Sequence, residues 1–127
     1  MILLDTSVVV DGLTGSRRSL PLLIRAAGVG EPLVLCTEVV YEWLRGPRDD
    51  RDLQVQEALF PIEMALPFET ADAQIAAKLY RSVPRGRGRE ADIAIAACAI
   101  RHDAQLWTLN EEDFRDIPGL RLYRPMA

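Results

Sequence analysis

A chain of 127 residues, 49% hydrophobic and 27% charged, is long enough to bury a core without disulfide or metal staples, and it reads as one domain over residues 1–127. Its formal net charge of -4 argues against binding nucleic acid by overall attraction. No window reaches the roughly 18 unbroken apolar residues of a membrane span, and the amino terminus enters a strand pattern without the basic and apolar regions of a secretion signal.

Ile2 to Leu4 read as a short buried strand that delivers Asp5, Thr6 and Ser7 to its end. A short helix from Thr6 to Leu13 follows, capped by Thr6 or Ser7 and closed by Gly12 and Gly15. A second helix runs from Ser19 to Ala27, with Pro21 tolerated in its first turn. Gly28, Gly30 and Pro32 break the chain before a second buried strand, Leu33 to Cys36; Thr37 then caps a helix that stops at Gly46-Pro47. The charged stretch Arg48 to Asp52 opens a helix ended by Pro61, and Ile62 to Leu66 reads as a third strand. Thr70 and Asp72 open a helix that ends near Pro84, residues 85–89 form a polar loop, and residues 90–102 form another helix. Leu106 to Leu109 and Leu120 to Tyr123 are the last strands, the second preceded by a Pro118-Gly119 turn.

Short apolar strands alternating with helices predict an α/β fold. It has three layers, with helices on both faces of a central, mainly parallel sheet of four to five strands. Parallel strands put their carboxyl ends on one edge, where ligands of open α/β sheets gather. Several acids are placed to reach that edge. Asp5 ends the first strand, although an Asp-Thr-Ser tripeptide also makes an ordinary turn or helix start. Glu38 and Glu42, four apart, share a face of the helix after the second strand; that face is either a wet surface or, at Glu42, part of a site. Asp92 opens a helix that is apolar all round beyond it, so its carboxylate stands at the edge of the core, either as a first-turn cap or as a ligand. Asn110 and Asp113 follow the strand Leu106 to Leu109.

The pieces Leu4-Asp5-Thr6-Ser7, Glu42-Trp43-Leu44-Arg45-Gly46, Asp92-Ile93-Ala94-Ile95-Ala96-Ala97 and Thr108-Leu109-Asn110-Glu111-Glu112-Asp113-Phe114 are individually ambiguous. In this order they resemble the PIN-domain ribonucleases, and in particular the VapC-type toxins of type II toxin–antitoxin pairs. The resemblance implies that Asp5, Glu42, Asp92 and Asp113 are the catalytic acids that hold Mg²⁺ or Mn²⁺. It implies that Thr6 or Ser7 adds a hydroxyl that fixes Asp5 or reaches the phosphate, and that Asn110 supports the rim. Many relatives carry an acid where Asn110 stands, so the fourth metal position is open between Asn110 and Asp113. The implied activity is endoribonucleolytic hydrolysis of single-stranded or loop RNA (tRNA, rRNA or mRNA). The implied setting is a cytoplasmic homodimer acting as a growth-inhibiting toxin, neutralised by a cognate antitoxin whose tail occupies the acidic groove.

The chemistry suits those residue types. Hydrolysing a phosphodiester needs a hydroxide at neutral pH and a sink for charge on the phosphoryl oxygens, and a hard cation held by carboxylates supplies both. Clustered acids without a cation repel one another, so the cluster implies its ion. Arg85, Arg87 and Arg89 precede Asp92 and are candidates to guide the RNA backbone; a solvated loop is the plain alternative. Cys36 and Cys98 lack a C-x-x-C spacing and read as buried reduced thiols, and a single histidine, His102, argues against zinc. The apolar sides of helices 19–27 and 49–60 serve either the core or an interface. The rival classes are a phosphoacceptor of the response-regulator kind, a haloacid-dehalogenase-like phosphatase and a non-catalytic PIN-like module that binds RNA or protein. The first would want a second acid after Asp5 and a lysine on a late strand, but Thr6 follows Asp5 and Lys78 falls in a helix; the second would want Asp where Ser7 stands.

Overall fold

A computed structural model describes residues 1–126. Its sheet has four strands, all parallel, in the order β2-β1-β3-β4, with β1 at Ile2–Leu4, β2 at Leu33–Val34, β3 at Gln105–Trp107 and β4 at Arg121–Leu122. Six helices connect and cover them: α1 (Thr6–Leu13), α2 (Leu20–Gly28), α3 (Thr37–Leu44), α4 (Asp50–Leu59), α5 (Thr70–Ser82) and α6 (Glu90–Arg101). Every residue of β1 is fully buried, which requires cover on both faces of the central strand. This is the three-layer α/β arrangement expected from the apolar runs.

The strands are shorter than the apolar runs suggest, and one is missing. Ile62 to Leu66 does not form a strand. It holds a 3₁₀ turn at Ile62–Met64 after Pro61, and only Leu66 then bridges in parallel to Cys36. Two hydrogen bonds make that bridge, from the Leu66 amide to the Leu35 carbonyl at 2.8 Å and from the Thr37 amide to the Leu66 carbonyl at 3.0 Å. The segment extends the edge beyond β2 by one rung and contributes no ladder. The expected strand Leu106 to Leu109 shifts back to Gln105–Trp107, because Thr108 turns its hydroxyl to the site described below.

The helix starts follow the expected capping chemistry only in part: the N-caps of α1 and α3 are Asp5 and Cys36 rather than Thr6 or Ser7 and Thr37, and neither makes a side-chain cap bond, whereas α4 and α5 carry capping boxes. Asp49 caps α4 by accepting the Asp52 amide at 2.8 Å, and the Asp52 carboxylate returns the bond to the Asp49 amide. Cys36 and Cys98 are buried free thiols. Contact with Cys98, then burial, holds the Cys36 thiol far above its ordinary range.

One buried ion pair locks α5 to α6. Asp72 is fully buried and also closes the capping box of α5, accepting the Glu69 amide at 2.7 Å. Arg101 straddles its carboxylate, with Nε 2.5 Å from Oδ1 and Nη2 3.1 Å from Oδ2. Burial pushes the Asp72 carboxyl up, but the Arg101 hydrogen bond and charge and the Glu69 amide outweigh it, leaving the group below 3.8. The ionised pair therefore stabilises the fold above about pH 4, and that contribution is lost as pH falls through the lowered value. Arg101→Met strands a buried charge. We expect urea unfolding at pH 7 to show a loss of about 2 kcal/mol, below the roughly 3–5 kcal/mol of a fully buried pair because Arg101 is partly exposed. The difference from wild type should narrow as pH falls toward about 4 and below, because without Arg101 burial raises the Asp72 carboxyl and its protonation relieves the penalty.

Candidate active site

The register of the two central strands builds the first wall. Leu4 pairs with Trp107, so the next residues, Asp5 and Thr108, stand side by side beyond the ladder. The Asp5 amide still donates to the Trp107 carbonyl at 2.9 Å, which fixes its backbone. Asp5 occupies the N-cap of α1, yet its side chain accepts no capping amide. It instead accepts two hydroxyls on one oxygen: Ser7 Oγ at 2.8 Å and Thr108 Oγ1 at 2.7 Å, both to Oδ2. The other oxygen takes no hydrogen bond from the described residues. An aspartate at a helix start that does not cap the helix is held for another purpose.

Glu42 comes from the second turn of α3 and accepts Thr6 Oγ1 at 2.6 Å on Oε1. The adjacent hydroxyls thus divide their work: Ser7 fixes Asp5, and Thr6 fixes Glu42. Arg45, one turn on, approaches the other Glu42 oxygen only to 4.0 Å. Asp92 is the third residue of α6, where a carboxylate ordinarily accepts first-turn amides; here it makes no hydrogen bond among the described residues. Its carboxyl is pushed from 3.8 up to about 6, first by burial and then by the charges of Asp5, Asp113 and Glu42, with Arg89 pulling the other way. Asp92 therefore feels three acids distant from it in sequence.

An open cleft of about 460 Å³ lies at this edge, lined by Asp5, Thr6, Ser7, Val10, Asp11, Glu42, Asp92, Leu109 and Asn110. Asn110 stands on its rim. Asp113 belongs to the 3₁₀ turn Glu111–Asp113 and lines the neighbouring cleft with Arg85, Arg89 and Asp116, while its charge still reaches Asp92. Of the three arginines proposed as RNA guides, Arg85 and Arg87 are exposed, whereas Arg89 is bound to Asp116. Glu38 does not line the cleft. Sequence patterning passed over Thr108 and Asp11. A hydroxyl directly after the apolar run Leu106-Trp107 was the available signal for Thr108. Asp11 is already occupied: Ser19 Oγ donates to it at 2.6 Å and Arg18 at 3.0 Å, and these hold its carboxyl below 3.8.

The hard oxygen donors of Asp5, Glu42 and Asp92 fit a divalent cation of the Mg²⁺ class. A second group, Asp72, Cys98 and His102, brings three donor atoms within 4.8 Å of one another at the far end of α6. There the Asp72 carboxylate is already straddled by the Arg101 guanidinium, whose charge opposes a cation.

Comparison with known proteins identifies the family and the fold. The family model described as the PIN domain matches residues 2–120. The chain belongs to the PIN-domain family. It is 35% identical over 124 residues to ribonuclease VapC19 of Mycobacterium tuberculosis, covering 95% of this chain and 98% of that protein. Among solved structures it resembles FitAcB from Neisseria gonorrhoeae, at 25% identity and a TM-score of 0.71 over 98% of both chains. It also resembles VapBC2 from Rickettsia felis bound to a promoter DNA fragment, at 18% identity and a TM-score of 0.73 over 97% of this chain and 98% of that one. The sheet-edge acids of this PIN domain thus sit in a fold shared with those proteins.

Burial and like charge at Asp92 have a cost in stability. The folded value for Asp92 lies above its unfolded value of 3.8, so ionising it destabilises the metal-free protein; the penalty is absent below about pH 4 and complete above about pH 6. We expect Asp92→Asn to raise the unfolding free energy in EDTA at pH 7 by on the order of 1 kcal/mol, a figure reduced for solvent screening. Urea titrations at pH 7 and pH 4 check this, and the gain should vanish at the lower pH.

Proposed function

We propose that this PIN-domain chain is a metal-dependent endoribonuclease of the VapC type, acting as one domain over its whole length. Its reaction is hydrolysis of phosphodiester bonds in single-stranded or loop regions of tRNA, rRNA or mRNA. The observation that carries this reading is the cleft shared by Asp5, Glu42 and Asp92, with the charge of Asp113 close by; burial and then these charges lift the Asp92 carboxyl to about 6. Mg²⁺ or Mn²⁺ held by Asp5, Glu42 and Asp92, with Asp113 as fourth carboxylate and Asn110 at the rim, would supply a hydroxide near neutral pH and neutralise charge on the scissile phosphate.

The chain's own residues prepare that site. Ser7 and Thr108 hold Asp5 by one oxygen and so present the other, and Thr6 does the same for Glu42. Asp92 must be ionised to act as a ligand, so affinity for the cation should rise with pH through about 6. Exposed Arg85 and Arg87 are the proposed contacts to the RNA backbone, which a net-negative protein needs locally. The likeness to ribonuclease VapC19 supports the substrate class and the toxin role. A cognate antitoxin, a homodimer and a cytoplasmic setting follow from the same reading. No described helix is long and apolar enough to cross a membrane.

Incubation with structured RNAs tests the mechanism. Cleavage should require Mg²⁺ or Mn²⁺, stop in EDTA, and fall by more than about 100-fold in Asp5→Asn and in Asp92→Asn, beyond what loss of an outer-shell partner costs. Cleavage that persists in EDTA or in both variants would contradict it. An inert wild type that still binds RNA would favour the non-catalytic PIN-like module.

A further inference from the structure

The loop before α6 carries three arginines, and one of them is not available to a substrate. Both terminal nitrogens of Arg89 are fully engaged. Nη1 donates to Asp116 Oδ2 at 3.0 Å and to the Pro84 carbonyl at 3.1 Å, and Nη2 donates to Asp116 Oδ1 at 2.6 Å and to the Asp113 carbonyl at 2.9 Å. A guanidinium has five N–H donors, so only Nε–H is left for anything else. The paired contact to Asp116 is the planar, bidentate kind that fixes both partners in orientation. Arg89 is also the N-cap residue of α6, and its carbonyl accepts the Ile93 amide at 2.9 Å, so its backbone is tied to the helix that carries Asp92.

Those bonds join two elements. On one side is the start of α6 with Asp92; on the other is the turn Glu111–Asp113 with Asp113. That turn holds three consecutive acids and would be pushed outward by its own charge. Arg124 restrains its first member, donating to Glu111 at 2.9 Å, and Arg89 restrains its last through the main-chain carbonyl. Phe114 and Ile117, both buried, anchor the segment to the core between these two clamps.

We propose that the Arg89–Asp116 pair is a positioning clamp that sets the place of Asp113 opposite Asp92, and so tunes how tightly the acidic site holds its cation. The proposal rests on the metal-dependent reading of the site. Arg89 is a positioning residue: it acts through Asp113 and touches neither the cation nor the RNA.

The test uses the full chain without RNA. Asp116→Asn keeps the shape of the partner and removes its charge; Arg89→Lys keeps a cation near Asp92 and removes the fork. Two readouts are taken, amide hydrogen exchange across residues 110–117 and the Mn²⁺ dissociation constant by electron paramagnetic resonance. The expected result is faster exchange in that segment and about 10-fold weaker Mn²⁺ binding in both variants, as for other partners that orient metal ligands. Unchanged exchange would overturn the clamp. Faster exchange with unchanged Mn²⁺ affinity would overturn its role at the site and leave a structural clip. Weakening in Arg89→Lys alone would also overturn it, because the effect would then not run through Asp116. Wild-type protein that binds no Mn²⁺ would overturn the metal site and this inference together, and is distinguishable because the variants play no part in it.

Discussion

At the carboxyl edge of the sheet, burial and then the charges of Asp5, Asp113 and Glu42 push the Asp92 carboxyl up to about 6. A fold tolerates this only if the rest of the molecule pins each acid in place. The structure does so with small, specific contacts. Two hydroxyls hold Asp5, one holds Glu42, the buried helix behind Asp92 fixes its backbone, and Arg89 draws in the turn that carries Asp113. Each contact fixes an acid while leaving ligand capacity, which is what a hard cation with oxygen ligands requires.

The fold makes this economical. Parallel strands β1 and β3 end in register, so Asp5 and Thr108 become neighbours with no connecting loop of their own. Helices α3 and α6 pack on one another and start near that edge, which brings Glu42 and Asp92 to the same cleft. The stabilising work is done elsewhere, by a core centred on the fully buried β1 and by the Asp72–Arg101 lock at the opposite end of α6. One helix therefore carries a destabilising acid at its start and meets a stabilising ion pair at its end. This division is the usual relation between an active site and its scaffold.

Much of this was legible in the residues. The apolar runs at Ile2–Leu4 and Leu33–Cys36 marked parallel strands because nothing polar interrupts them, although the second forms a strand only at Leu33–Val34. The all-round apolar stretch after Asp92 marked a buried helix with a carboxylate at its rim. The expected strand at Ile62–Leu66 was not formed: a short run after proline, interrupted by Glu63, is equally compatible with a tight turn, and only the tertiary position of Leu66 beside Cys36 decided it. Thr108 and the Arg89 clamp were not legible for a related reason. A threonine at a strand end and an arginine in a Gly-rich loop have many uses, and their partners, Asp5 and Asp116, lie 103 and 27 residues away in the chain. The pattern names an acid at each element's end; the hydrogen bonds that hold it come from elsewhere.

The central claim is that these four acids make one cation site, and that the Asp72–Cys98–His102 group does not. Anomalous diffraction at the manganese edge, from crystals grown with Mn²⁺, measures this directly. The account predicts a peak in the cleft within ligand distance of Asp5 and Asp92, roughly 2.0–2.2 Å for carboxylate oxygens on such an ion. A cleft without a peak, or a peak at Asp72, Cys98 and His102 instead, would contradict it.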